Sequence, residues 1–139
     1  MKTKNVLLAL GLMLMAVVVT TSSCSKKDDP EPAPAPAAYT PSFSATSIAI
    51  DATTIDFYIT CVTDDYELIK VEVKSPGALQ DDTYLGNAML LIRGEPITFP
   101  NYFLRTSGNW TFIVTGTIRS GANIGTSFTV SCNVSVGGK

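Results

Sequence analysis

The chain has 139 residues, with 10 basic and 12 acidic side chains and a formal net charge of −2. That length gives room for one domain with one core, and the basic residues Lys70, Lys74, Arg93, Arg105, Arg119 and Lys139 are scattered, without the patch a nucleic-acid partner requires. Histidine is absent, which excludes Ser-His-Asp and Cys-His catalysis, the zincin helix and every histidine-ligated metal site.

Lys2 and Lys4 precede an unbroken run of apolar and small residues from Val6 to Val19, followed by Thr21-Ser22-Ser23-Cys24. These are the charged region, hydrophobic region and small-residue cleavage site of a secretory signal peptide. As a helix the run would measure about 21 Å, short of the ~30 Å hydrocarbon core, so it does not read as a permanent transmembrane span. A cysteine directly after the small residues resembles the lipobox of bacterial lipoproteins. The resemblance implies removal of residues 1–23 and a lipidated Cys24 at the new N-terminus. Two or three acyl chains give durable attachment where one would not.

Ser25-Lys26-Lys27-Asp28-Asp29-Pro30-Glu31 follows. Lys27, Asp28 and Asp29 resemble the surface-export signal of Bacteroidota lipoproteins, which implies an outer-membrane protein facing the cell exterior; the alternative is a solvated charged linker. From Pro30 to Ala38, proline alternates with small residues. Such a segment has no core to bury and favours extended polyproline II. Residues 24–38 are therefore expected to form a disordered tether, and residues 39–139 a single domain.

From Ser44 onward the apolar pattern has period two, and no stretch of ten or more residues repeats like a helix. Ser47 to Ile50 reads as a first strand. Thr54 to Val62 is a second, with Ile55, Phe57, Ile59 and Cys61 inward and Asp56, Tyr58 and Thr60 outward. Tyr66 to Lys74 is a third, with Ile69, Val71 and Val73 inward and Lys70, Glu72 and Lys74 outward. Pro76, Gly77, Asp81, Asp82 and Gly86 make Ser75 to Asn87 read as a long connection. Ala88 to Arg93 and Ile97 to Phe103 are shorter strands, the latter interrupted at Pro100, and the prolines suggest edges or bulges. Asn109 to Arg119 aligns Trp110, Phe112, Val114 and Ile118 on one face, with Gly116 in a slot on it. Thr126 to Val136 closes the chain with Phe128, Val130, Cys132 and Val134 aligned.

Seven short strands joined by turn-rich links predict an all-β, antiparallel sandwich. The pattern Gly108-x-Trp110-x-Phe112-x-Val114-x-Gly116, leading through a hairpin to a last strand, resembles the end of many bacterial immunoglobulin-like domains. Antibody-type domains place the tryptophan soon after the first cysteine, whereas Trp110 lies far downstream of Cys61. An immunoglobulin-like sandwich, not an antibody-type domain, is therefore expected, with a small barrel or truncated jelly roll as the alternative.

Cys61 and Cys132 both fall on inward registers and form a candidate disulfide, which an extracytoplasmic address permits; the alternative is two buried free thiols. Asp64 and Asp65 with Glu67, and Asp81 with Asp82, are weak calcium candidates, since calcium takes six to eight oxygens. No cofactor is expected. Tyr84, Asn87, Asn101 and Tyr102 lie in or beside the irregular middle of the domain, where exposed aromatics among amides suit sugar or protein recognition. The expected function is a lipid-anchored binding or adhesion module for a glycan or protein. An accessory subunit docking by strand addition is the alternative, and a small hydrolase, which would need a cleft between paired carboxylates, is third.

Overall fold

The computed structural model of the protein describes residues 38–138. The expected signal peptide, lipidated Cys24, export residues Lys27, Asp28 and Asp29, and tether before Ala38 lie outside the described residues. Seven strands follow in chain order: β1 Phe43–Ala49, β2 Thr54–Cys61, β3 Tyr66–Lys74, β4 Asp82–Leu91, β5 Pro96–Leu104, β6 Gly108–Ile118 and β7 Ser127–Val136. They form two antiparallel sheets, ordered β1-β2-β5 and β4-β3-β6-β7. This is an immunoglobulin-like sandwich in which the fourth strand has changed sheets. In a constant-type domain it pairs with the fifth strand; here it pairs with β3, from Tyr66↔Leu91 to Val73↔Asp82.

Alternation of apolar residues builds the core. Ile55, Phe57, Ile59 and Cys61 of β2 face Tyr66, Leu68, Val71 and Val73 of β3 and Trp110, Phe112, Val114 and Ile118 of β6, all buried. Aromatic rings tie the sheets together: Phe57 lies 4.9 Å from Trp110 and 5.0 Å from Phe112 between ring centroids, and Phe103 lies 5.1 Å from Trp110. Such offset and edge-on pairs contribute beyond simple burial. The Trp110 indole N–H donates to the Thr106 carbonyl at 3.0 Å, so the ring is buried without an unsatisfied donor.

Two bulges depart from the sequence expectation. Across β3 and β4 the register steps from Leu68↔Met89 to Lys70↔Leu85, so residues 86–88 oppose Ile69 alone. Asn87 and Ala88 there have φ of 50° and 59°. The segment expected as one long connection from Ser75 to Asn87 is thus a short link followed by a strand. Gly86 and Asn87, read as turn residues, instead form an insertion within β4. On its other side β3 steps from Leu68↔Gly116 to Lys70↔Thr115, and the extra residue turns Ile69 outward, 44% exposed and not inward as expected.

The second bulge lies between β2 and β5, where residues 100–102 oppose Asp56. The Asn101 N–H donates to Asp56 Oδ1 at 2.7 Å, which explains why Asp56, expected on the outer face, is buried. β5 continues through Pro100 without a break. A missing N–H is tolerated at a bulge on an edge strand.

The link from β3 to β4 is closed by its own polar groups. Ser75 N–H and Oγ–H donate to Asp81 Oδ1 at 2.8 and 3.2 Å, and Gln80 N–H donates to Ser75 Oγ at 2.7 Å. Strand pairing places residues 38–42, 62–65, 92–95 and 119–126 at one end of the sandwich and residues 50–53, 75–81 and 105–107 at the other.

Candidate binding surface

The expected aromatic platform is dispersed. Tyr84 lies in β4 and is half-buried, its ring edge-on to Phe99 at 5.0 Å and to Phe103 at 6.5 Å. It plugs the side of the sandwich between edge strands β4 and β5 and so belongs to the core margin. Asn87 and Asn101 are exposed at the two bulges, where left-handed backbone suits asparagine. Tyr102 lies in β5. Asn101 and Tyr102 lie within the bulge that engages Asp56, so this segment is shaped by the fold rather than by a loop free to vary.

The candidate disulfide is not formed. Cys61 and Cys132 are buried free thiols. Cys61 ends β2 opposite Phe43, and Cys132 sits in β7 opposite Phe112, whose carbonyl accepts its S–H at 3.6 Å. The fully buried Tyr66 belongs to the same part of the core. Burial first, and then both sulfurs, push the ionisation of its hydroxyl up, and that hydroxyl has no hydrogen-bond partner. Burial also pushes the Cys132 thiol up to about 11. At neutral pH that sulfur stays protonated and inert, since the thiolate is the nucleophile. Iodoacetamide is therefore expected to label neither Cys61 nor Cys132 in the folded domain and both in denaturant without reductant, read by peptide mass. A pair that needs reductant before it labels would contradict the free-thiol arrangement.

The acidic candidates are engaged in building turns. Asp64 is buried and accepts the Tyr39 hydroxyl at 2.7 Å. Asp65 Oδ1 accepts Arg93 N–H at 2.8 Å, its own N–H donates to Ser120 Oγ at 2.8 Å, and its carbonyl accepts Arg119 N–H at 2.8 Å. Glu67 pairs with Arg119. At the other end, Asp81 also pairs with Lys74 at 3.3 Å. The Ser75 N–H, followed by Lys74, holds its carboxyl below the usual range. Asp82 accepts Thr83 N–H at 2.7 Å. The pairs Asp64-Asp65 and Asp81-Asp82 flank opposite ends of β3, roughly 25 Å apart at ~3.3 Å per residue, and cannot share an ion. Among the described residues no group of three or more acidic or cysteine side chains is placed to hold a metal.

What the fold does assemble is an apolar stripe on the outer face of the second sheet. β4 is a free edge of that sheet. Leu85 stands opposite Lys70 and Leu90 opposite Glu67, both on the outer face, with the outward Ile69 between them. Leu85 is 72% exposed and Leu90 62%. The Lys70–Glu72 and Arg119–Glu67 ion pairs border it. By contrast, the outer face of β6 and β7 is a polar ladder. Thr111 Oγ1 donates to Asn133 Oδ1 at 2.7 Å, and the Thr115 and Thr129 hydroxyls lie 3.3 Å apart. A contiguous exposed aliphatic patch rimmed by charge marks an interaction site more often than scattered single residues do.

This stripe was missing from the sequence expectation, although one signal for it exists. Ala88-Met89-Leu90-Leu91-Ile92 is a continuous apolar run, and in a strand with one buried face such a run must place apolar side chains in water. Adjacent to the stripe, at the end where the chain enters, a shallow depression of about 480 Å³ is lined by Thr63, Asp64, Asp65, Ile92, Arg93 and Ser120, among others. No family model, curated protein or solved structure matches the chain.

Proposed function

We propose that the protein is a lipid-anchored binding module on the outer face of the outer membrane, and that its ligand is another protein. The observation that carries the choice of a protein over a glycan is the stripe of Ile69, Leu85 and Leu90, exposed at a free edge of the sandwich. Aliphatic side chains supply the apolar centre of protein interfaces, whereas Tyr84, the aromatic expected to stack on a sugar, packs against Phe99 and Phe103. Docking uses the face of the sheet and not strand addition. The bulges at 86–88 and 100–102 interrupt the pairing register of both edge strands on this side, a device that blunts edge pairing. Cys24, with Lys27, Asp28 and Asp29, supplies the anchor and the address.

The test is site-specific photo-crosslinking in intact cells. A photoreactive side chain at Leu85 or Leu90 is expected to give a discrete protein adduct, and one at Thr129 on the polar ladder none. Equal adducts from all three positions, or none from the β4 positions, would refute the assignment. In parallel, Cys24→Ala is expected to abolish metabolic palmitate labelling, and labelling at the wild-type level would remove the anchor.

A further inference from the structure

We infer that the end of the sandwich carrying Val62, Ile92 and Ile124 rests on the lipid surface into which the anchor inserts, so that the domain is held in one orientation. This rests on the lipid-anchor reading proposed above. The described chain enters the domain at that end, where the Tyr39 hydroxyl donates to Asp64 at 2.7 Å and the Val62 N–H donates to the Ser42 carbonyl at 2.9 Å. The fourteen residues from Cys24 to Ala37 can reach at most about 50 Å even fully extended. The entry end is therefore the part of the domain attached nearest to the anchor.

That same end displays three aliphatic tips on three separate turns, with Val62 50%, Ile92 55% and Ile124 63% exposed. The turns are knitted together. The Gly94 N–H donates to the Cys61 carbonyl at 2.9 Å, and Asp65 bonds the turns carrying Arg93, Arg119 and Ser120. The tips are thus presented by a preassembled surface. The carboxylates beside them have partners within the fold: Asp64 takes Tyr39, Asp65 takes Arg93 N–H, Glu67 takes Arg119, and the exposed Glu95 takes Ile92 N–H at 3.3 Å.

Three aliphatic side chains alone would bind a bilayer weakly, because interfacial binding scales with the apolar area inserted. The covalent link to the anchor changes this by making the contact intramolecular, which raises its effective concentration. Leu79 and Leu104 are also exposed, at the end opposite the one where the chain enters from Cys24. They serve as internal controls.

The experiment uses the full-length lipidated protein reconstituted into vesicles of phosphatidylethanolamine and phosphatidylglycerol. Ile92→Cys, Ile124→Cys and Leu79→Cys variants carry an environment-sensitive fluorophore, since Cys61 and Cys132 are buried and the Cys24 sulfur is held in the thioether to the lipid anchor. Lipids brominated on their acyl chains are expected to quench the label at positions 92 and 124 and to spare it at 79. Adding Val62→Ser to the Ile124→Cys variant should reduce the quenching while the protein stays on the vesicles. Protein that floats with the vesicles but is quenched equally at all three positions, or at none, overturns the orientation and leaves the anchor standing. Protein that does not float overturns both.

Discussion

Replacing Trp110 by alanine is expected to remove about 3–5 kcal/mol of stability, the range for deleting a large buried aromatic. Domains of this size have only about 5–15 kcal/mol in total. Trp110 is fully buried, and its ring contacts Phe57 of one β2 register and Phe103 of β5 across the sandwich. Truncation leaves a cavity between sheets whose backbones cannot close, and it strands the Thr106 carbonyl that the indole N–H satisfies. The readout is the urea midpoint of the domain, with Trp110→Phe as a milder control that keeps ring packing but loses the hydrogen bond. Wild-type stability in Trp110→Ala would mean that the ring does not join the two sheets.

A second large effect is expected where the only tolerated side chain is a hydrogen atom. A Cβ on Gly86 would collide with the carbonyl and side chain of Leu68, and a Cβ on Gly116 would come within 2.6 Å of the Glu67 carbonyl and 2.8 Å of the Phe128 ring. Backbone carbonyls in a paired strand cannot step aside. Gly86→Ala is therefore expected to cost at least the ~1–3 kcal/mol typical of overpacking, and to disturb the β3–β4 bulge opposite Ile69. Gly116→Ala meets one backbone atom and one ring, and the ring can shift, so a smaller loss is expected. Thermal unfolding of the two variants, with Gly125→Ala as a control for positive φ in open space, separates steric collision from loss of glycine's conformational freedom. An unchanged midpoint in Gly86→Ala would show that β4 does not approach β3 as described.

If Gly86→Ala folds but weakens the crosslink from Leu85, the bulge and the binding stripe are one feature. The insertion of residues 86–88 lies opposite Ile69, which the extra residue of β3 against β6 turns outward beside Leu85 and Leu90. A regular strand would have put Ile69 in the core and left only two separated leucines outside. The same local irregularity thus makes an apolar surface and blunts the edge that would otherwise invite uncontrolled strand pairing.

The all-β class, the inward faces of β2, β6 and β7, the place of Trp110 in the core and the slot at Gly116 are all legible in the residue pattern. Each follows from period two within a single strand, which is local information: side chains alternate whatever the strand pairs with. Pairing partners and insertions belong to two strands at once, and only the tertiary structure decided them. Gly86 and Asn87 carry the composition of a turn, yet β3 supplies partners on both sides of them, so the chain bulges and continues as β4. Ile69 fits the alternation, but the step in register against β4 and β6 reverses its face. Asp64 and Asp65 look like a cation site in sequence, while the turns that Tyr39, Arg93, Arg119 and Ser120 bring to them use their oxygens and backbone groups as staples. The binding stripe lay half within reach, because the run from Ala88 to Ile92 has too many apolar residues for one buried face. That this strand would be a free edge, with Ile69 beside it, depended on β4 joining the second sheet, a choice set by contacts far apart in the chain.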